Sequence, residues 1–137
     1  MIDGPANRLT KFFYCLDTGR WDDMIALMQP GAVWHRFNGS ITGHEAIRKM
    51  LGERDMTSRV CHLISSAFVD SSNQEVAAGE IMVRAYLTAY RVDGAGSHEK
   101  SVPMTSPSKI GRADTTMVMT EKGWLISEQS MLAIYNF

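Results

Sequence analysis

The chain contains only two cysteines, Cys15 and Cys61, in 137 residues. That scarcity excludes a disulfide-stapled secreted scaffold and leaves two thiols expected to be buried, as in an intracellular protein. No Cys/His spacing resembles a zinc site. Neither sign of charge predominates, with 14 Lys and Arg against 15 Asp and Glu. A phosphate-backbone binder needs a basic excess, so nucleic acid is not the expected partner. No apolar run approaches the ~20 residues that span a bilayer, so no membrane partner is expected. The first residues show no basic segment followed by an apolar core, so no secretory leader is read and the cytoplasm is expected by default. Gly-rich phosphate loops, nucleophile elbows and metal-ligand clusters are also missing. Any catalysis is therefore expected to be cofactor-free proton transfer on a small organic molecule.

The length suits one domain over residues 1–137, with a core that needs no staples. Leu9, Phe12, Phe13 and Leu16 fall at i, i+3, i+4 and i+7, which predicts an amphipathic helix over 6–18 stopped by Gly19. Trp21, Met24, Ile25 and Met28 repeat that spacing over 20–29, with Asp22 and Asp23 in the first turn and Pro30-Gly31 as terminator. A short strand at 32–37, an Asn38-Gly39 turn and a brief return strand at 40–42 follow. Thr42 and Glu45 have capping-box spacing before a third helix over 43–54, whose apolar face carries Ala46, Ile47, Met50 and Leu51.

From residue 59 the period changes from 3.6 to 2. Long strands are predicted over 59–70, 75–92, 109–120 and 124–134, with a Gly/Ser/Pro-rich loop at 93–108 that contains His98. Three helices followed by a meander of strands predict an α+β domain: a cone-shaped α+β barrel with the helices packed on a curved antiparallel sheet. The strand RVCHLISSAFVD organises the rest. Alternation puts Val60, His62, Ile64, Ser66 and Phe68 on one face, so His62 is a titratable group among apolar neighbours. It reads either as a core histidine with a satisfied hydrogen bond or as a reactive one. On the next strand Arg84, Tyr86 and Tyr90 share a face. The two phenols are candidate donors to a ligand, or part of a subunit interface. His35 lies between Trp34 and Arg36, and alternation leaves open which of the two faces meets a pocket. His44 and His98 read as solvated, and the scattered methionines as adaptable core filler.

The order of elements, with the segments LDTGRWDDMIALM, PGAVWHRF, ITGHEAIRKML, RVCHLIS and GWLISEQS, resembles the SnoaL-like branch of the nuclear-transport-factor-2-like superfamily. The resemblance runs over nearly the whole chain and implies a cystatin-like cone with a pocket at its open end. Within the superfamily the pattern is most similar to the scytalone dehydratase side. That enzyme has an aspartate at the end of its first helix, matched by Asp17, and a catalytic histidine on its first long strand, matched by His62. His35 takes the place of a pocket tyrosine, near where ketosteroid isomerase keeps its catalytic carboxylate. Asp114 stands where that isomerase keeps a proton-donating acid, or is an ordinary strand residue paired with Arg84 or Arg112. The dehydratase's second catalytic histidine has no counterpart in VRAYLTAYR.

The resemblance implies a cofactor-independent lyase or isomerase, of dehydratase or polyketide-cyclase type, on a hydrophobic oxygenated substrate. The alternatives are a non-catalytic ligand-binding protein and a small structural subunit of a ring-hydroxylating oxygenase. Asp17 and His62 are the expected catalytic pair, within direct or one-water reach at the floor of a largely apolar pocket. His35, Tyr86, Tyr90 and Asp114 are the expected substrate-binding residues. Asp17 has a second reading, as a cap of the turn Asp17-Thr18-Gly19. Strands with apolar residues on both faces, such as Met117 and Met119 against Val118, predict a homodimer through the outer sheet face.

Overall fold

A computed structural model describes residues 3–36, 38–72, 76–96 and 99–137. The elements are α1 (Pro5–Asp17), α2 (Trp21–Ile25), β1 (Met28–Arg36), β2 (Gly39–Thr42), α3 (His44–Gly52), β3 (Arg59–Val69), β4 (Glu80–Val92), β5 (Lys109–Thr120) and β6 (Gly123–Asn136). Phe37, Glu75 and His98, placed above at two strand ends and in the 93–108 loop, lie outside the described residues. No described helix is long and apolar enough to cross a membrane.

The sheet is curved and unclosed, in the order β2-β1-β6-β5-β4-β3. The expected antiparallel arrangement is corrected at one seam: β1 runs parallel to β6, whereas every other pair is antiparallel. A parallel pair needs a long crossover. Here everything from β2 to β5 serves as that crossover. β5 and β6 approach closely at Gly111, where a Cβ would meet the Leu132 carbonyl oxygen at 2.7 Å. That position beside a register shift admits glycine alone without moving a strand.

The apolar stripe of α1 buries Leu9, Phe12, Phe13 and Leu16 against the inner sheet face, as its spacing predicts. Gly19 stops it with φ 75, and the Arg20 N–H donates to the Cys15 carbonyl at 2.9 Å. Helix α2 is shorter than its periodicity suggests. Its five residues give way at Met28, which pairs with Ile126, and the register shift between Met28 and Val33 takes in Pro30-Gly31. A proline inside a strand is tolerated at such an irregularity because its missing donor breaks no regular ladder. The capping box does not form: Thr42 pairs with Val33, and the N-cap is Gly43 with no side-chain bond. Ile47 and Leu51 of α3 are buried, whereas Ala46 is exposed. His44 is not simply solvated. Its Nε2 donates to the Met28 carbonyl at 2.9 Å, tying α3 to β1.

Strand β3 departs from simple alternation. Ser65 pairs with Tyr86 and Phe68 with Arg84, so β3 carries one extra residue there, and Ser66 has φ 56. This bulge breaks the alternation. Phe68, expected beside His62, is 54% exposed, while Ala67 packs on the core. Cys61 also differs from expectation, being exposed where Cys15 is buried.

On the outer face of the sheet, Arg84 bridges Asp70 at 2.7 Å and Asp114 at 3.0 Å. Hydrogen bonds from Arg84 and Ser72 hold the Asp70 carboxyl below its ordinary range. A depressed folded-state value stabilises the fold above the unfolded value, and that contribution is lost as pH falls through the folded value. The loss therefore falls at and below the ordinary aspartate value of about 3.9. Melting temperature followed from neutral to acid pH should fall less steeply in that range for Asp70→Asn than for the unmodified chain. Parallel acid limbs would count against the bridge.

Candidate active site

Strand β3 is an edge of the sheet, so one row of its backbone donors has no strand partner. The last residue of α1 meets that row. One Asp17 carboxylate oxygen accepts the backbone N–H of His62 at 2.6 Å, and the other faces His62 Nδ1 at 2.6 Å. Both side chains are nearly enclosed, with 11% and 13% exposure. A carboxylate at a helix C-terminus is unfavourable with the dipole, and these two bonds offset that cost. Asp17 therefore reaches into the fold instead of capping its own turn. A carboxylate partner requires Nδ1 to donate, so in the neutral ring Nε2 carries the lone pair. Nε2 has no polar partner among the described residues. The Phe13 ring lies 5.1 Å from the imidazole, tilted by 46°, and limits its rotation.

His62 lines a cavity of about 320 Å³ under the sheet, together with Phe13, Val60, Trp34 and Met131. A second lobe of about 180 Å³ reaches Asp17, Trp21 and Met56, and shares Leu16, Arg36, Arg54 and Val60 with the first. The expectation of a largely apolar pocket needs correction, because Arg36, Arg54, Arg91 and Lys109 line it too. Gln129, 1% exposed, closes one wall and donates to Thr115 Oγ1 and the Ser130 carbonyl.

The remaining expected site residues separate. Trp34 is 6% exposed and edge-on to Phe12, so the Trp34/Arg36 face of β1 looks inward. His35 borders the cavity, but its ring is engaged by Ser40 Oγ at 2.7 Å and Glu128 Oε1 at 2.6 Å. A carboxylate can only accept, so Nε2 donates to Glu128 and Nδ1 of the neutral ring accepts from Ser40. Tyr86 and Asp114 line a different groove of about 460 Å³ on the outer sheet face, with Phe68 and Arg84. Tyr90 alternates with them on β4 and lines neither lobe of the inner cavity. Asp114 is the ion-pair partner of Arg84, one of the two readings its position allowed. The sequence reading missed Arg36, Arg54 and Gln129. For Arg36 the signal was present in its alternation with the bulky Trp34.

Helices packed on a curved, unclosed mixed sheet around a cavity define the cystatin-like, nuclear-transport-factor-2-like architecture. Residues 6–129 match the family model described as SnoaL-like domain, and the chain belongs to that family. No curated protein matches the chain significantly. Solved structures agree in fold. A provisionally assigned scytalone dehydratase from Novosphingobium aromaticivorans is 19% identical with a TM-score of 0.69, over 96% of this chain and 82% of that one. ActVI-ORFA from Streptomyces coelicolor is 12% identical with a TM-score of 0.72, over 93% and 92%. A provisionally assigned aromatic ring hydroxylase from Novosphingobium aromaticivorans is 17% identical with a TM-score of 0.70, over 94% and 85%.

Proposed function

We propose that this protein is a cofactor-independent proton-transfer enzyme, a lyase or isomerase acting on a small oxygenated organic molecule. The observation that carries the reading is His62, anchored through Nδ1 by Asp17 with Nε2 open to a cavity of about 320 Å³. In this reading Nε2 takes a proton from a carbon next to a carbonyl, and Asp17 steadies the imidazolium that forms. Returning that proton to another carbon gives an isomerase. Delivering it to a departing hydroxyl releases water and leaves a double bond, giving a lyase. With no second histidine on β4, one group serves as base and then as acid, so both transfers occur on one face of the substrate. The likeness to a provisionally assigned scytalone dehydratase agrees with this chemistry.

The same missing histidine favours a second reading, a protein that binds a small ligand without turnover. The two separate in D₂O. Small aryl ketones bound in the cavity should lose their α-proton NMR signals faster than in buffer, and this gain should vanish in His62→Gln. Binding without exchange across the panel would support the ligand-binding reading.

We also place the protein in the cytoplasm, a reading supported by two free cysteines, and pair its outer sheet face with a second copy. Leu63, Phe68, Tyr86 and Leu132 stand 49–57% exposed there, interleaved with Arg84, Arg112 and Asp114, a mixture that a second copy could cover. Light scattering should report twice the 15.3 kDa chain mass. A monomer at micromolar concentration would count against the pairing.

A further inference from the structure

Among the described residues, two guanidinium groups in the cavity have no direct ion-pair partner. Arg36 is partly buried and lies over Trp34, its guanidinium carbon 5.3 Å from the ring centroid. Arg54, partly buried just beyond α3, lines both lobes. Among the described residues neither makes an ion pair or a side-chain hydrogen bond. Arg20, Arg48, Arg84 and Arg91 each hold a carboxylate. The two carboxylates on the cavity wall are already engaged. Asp17 is bound twice by His62, and Asp55 accepts the Thr57 N–H at 2.9 Å and Thr57 Oγ1 at 2.7 Å. Lys109 and Arg91, the latter paired with Asp93, also line the cavity.

Partly buried charges without partners are unfavourable, and removing solvent from like charges beside one another adds to the cost. Burial pushes both guanidiniums below their ordinary range; the positive charge of Arg36 pushes Arg54 further, and the carboxylate of Asp17 offsets only part of this. A bound anion would relieve both effects. A planar carboxylate matches the donor fork of arginine and can be held by two such groups at once. The remaining wall, with Phe13, Val60 and Met131, suits a carbon framework.

We propose that the cavity takes an organic acid whose carboxylate is held between Arg36 and Arg54, with the rest of its carbon skeleton lying toward His62. The assignment of a substrate class rests on the proton-transfer reading; the binding preference does not.

The test uses 4-oxo-4-phenylbutanoate, which has both a carboxylate and exchangeable α-protons, beside its methyl ester and inorganic phosphate. Affinities are measured by NMR titration with the unmodified chain, Arg36→Gln, Arg54→Gln and Arg54→Lys. The acid should bind at least about tenfold tighter than the ester, and added salt should shrink that preference. Either glutamine variant should erase the preference, and Arg54→Lys should retain part of it. Equal affinity for acid and ester, no acid binding at about 10 mM, or phosphate binding as tightly as the acid would overturn the proposal. So would a preference unchanged in both glutamine variants. Exchange monitored in the same samples separates this outcome from the parent reading. Exchange of acid and ester alike, with equal affinities, removes the carboxylate site and keeps the proton transfer. Selective acid binding without exchange does the reverse.

Discussion

His62→Gln is expected to lower α-proton exchange by about 10²–10⁴-fold, the range for losing a positioned general base, while the chain stays folded. Glutamine fills much of the same space and still offers a polar group to Asp17, so the α1–β3 junction keeps its shape. What disappears is the basic lone pair of Nε2. Asp17→Asn is the sharper variant. The Asp17 carboxylate accepts two N–H groups, one from the His62 backbone and one from Nδ1. An asparagine that keeps the backbone bond with its oxygen must present its NH₂ to Nδ1. That turns Nδ1 into an acceptor and moves the ring proton to Nε2, so the base becomes a donor at the wrong moment. Exchange should fall by about 10²-fold or more even though one heavy atom has changed. If the pair is only structural, both substitutions will lower the melting temperature and leave exchange and affinity where they were.

Phe12→Ala is expected to cost about 3–5 kcal/mol, a large share of the ~5–15 kcal/mol that holds a domain of this size together. Phe12 is fully buried and meets Phe13 edge-on at 5.1 Å and Trp34 at 5.5 Å. Its removal takes contacts from α1 and β1 together, and neither backbone can move inward without losing its own ladder or helix bonds. Urea unfolding should show a lower midpoint with an unchanged slope. A loss below about 1 kcal/mol would mean that the site collapses to fill the void. Phe13, the neighbour of the deleted ring, lies against the His62 imidazole, so residual folded protein should also bind ligand less tightly.

The parts of this structure that were legible in advance are those decided locally. The stripe of α1 follows from residue spacing, and alternation turns Val60, His62 and Ile64 inward as far as the bulge. The pairing of Asp17 with His62 was implied by the family resemblance, local signals leaving a turn cap open for Asp17. What escaped depends on distant partners. Which face of β1 looks inward is decided by its pairing with β6, almost a hundred residues later (Trp34 opposite Gln129), and that choice brings Arg36 in and turns the His35 ring away. The bulge at Ser66 had no glycine to announce it, since a serine adopts its positive φ there. It is what sends Phe68 outward. The truncation of α2 has the same origin, because its helical spacing at Met28 loses to the strand pairing of that residue with Ile126.

The parallel seam also governs when the molecule can become itself. Among the described residues, the neighbours of β1 in the sheet are β2 and β6, and β6 follows β1 by almost ninety residues. At ribosomal speeds of roughly 5–20 residues per second, on the order of ten seconds separate the emergence of β1 from that of its partner. During that interval the β1–β2 hairpin has no sheet to join, and the inward face of Trp34 and Arg36 has no roof. The meander β3–β4–β5 can form before then. The pocket cannot, because Gln129 and Met131 of β6 supply part of its wall.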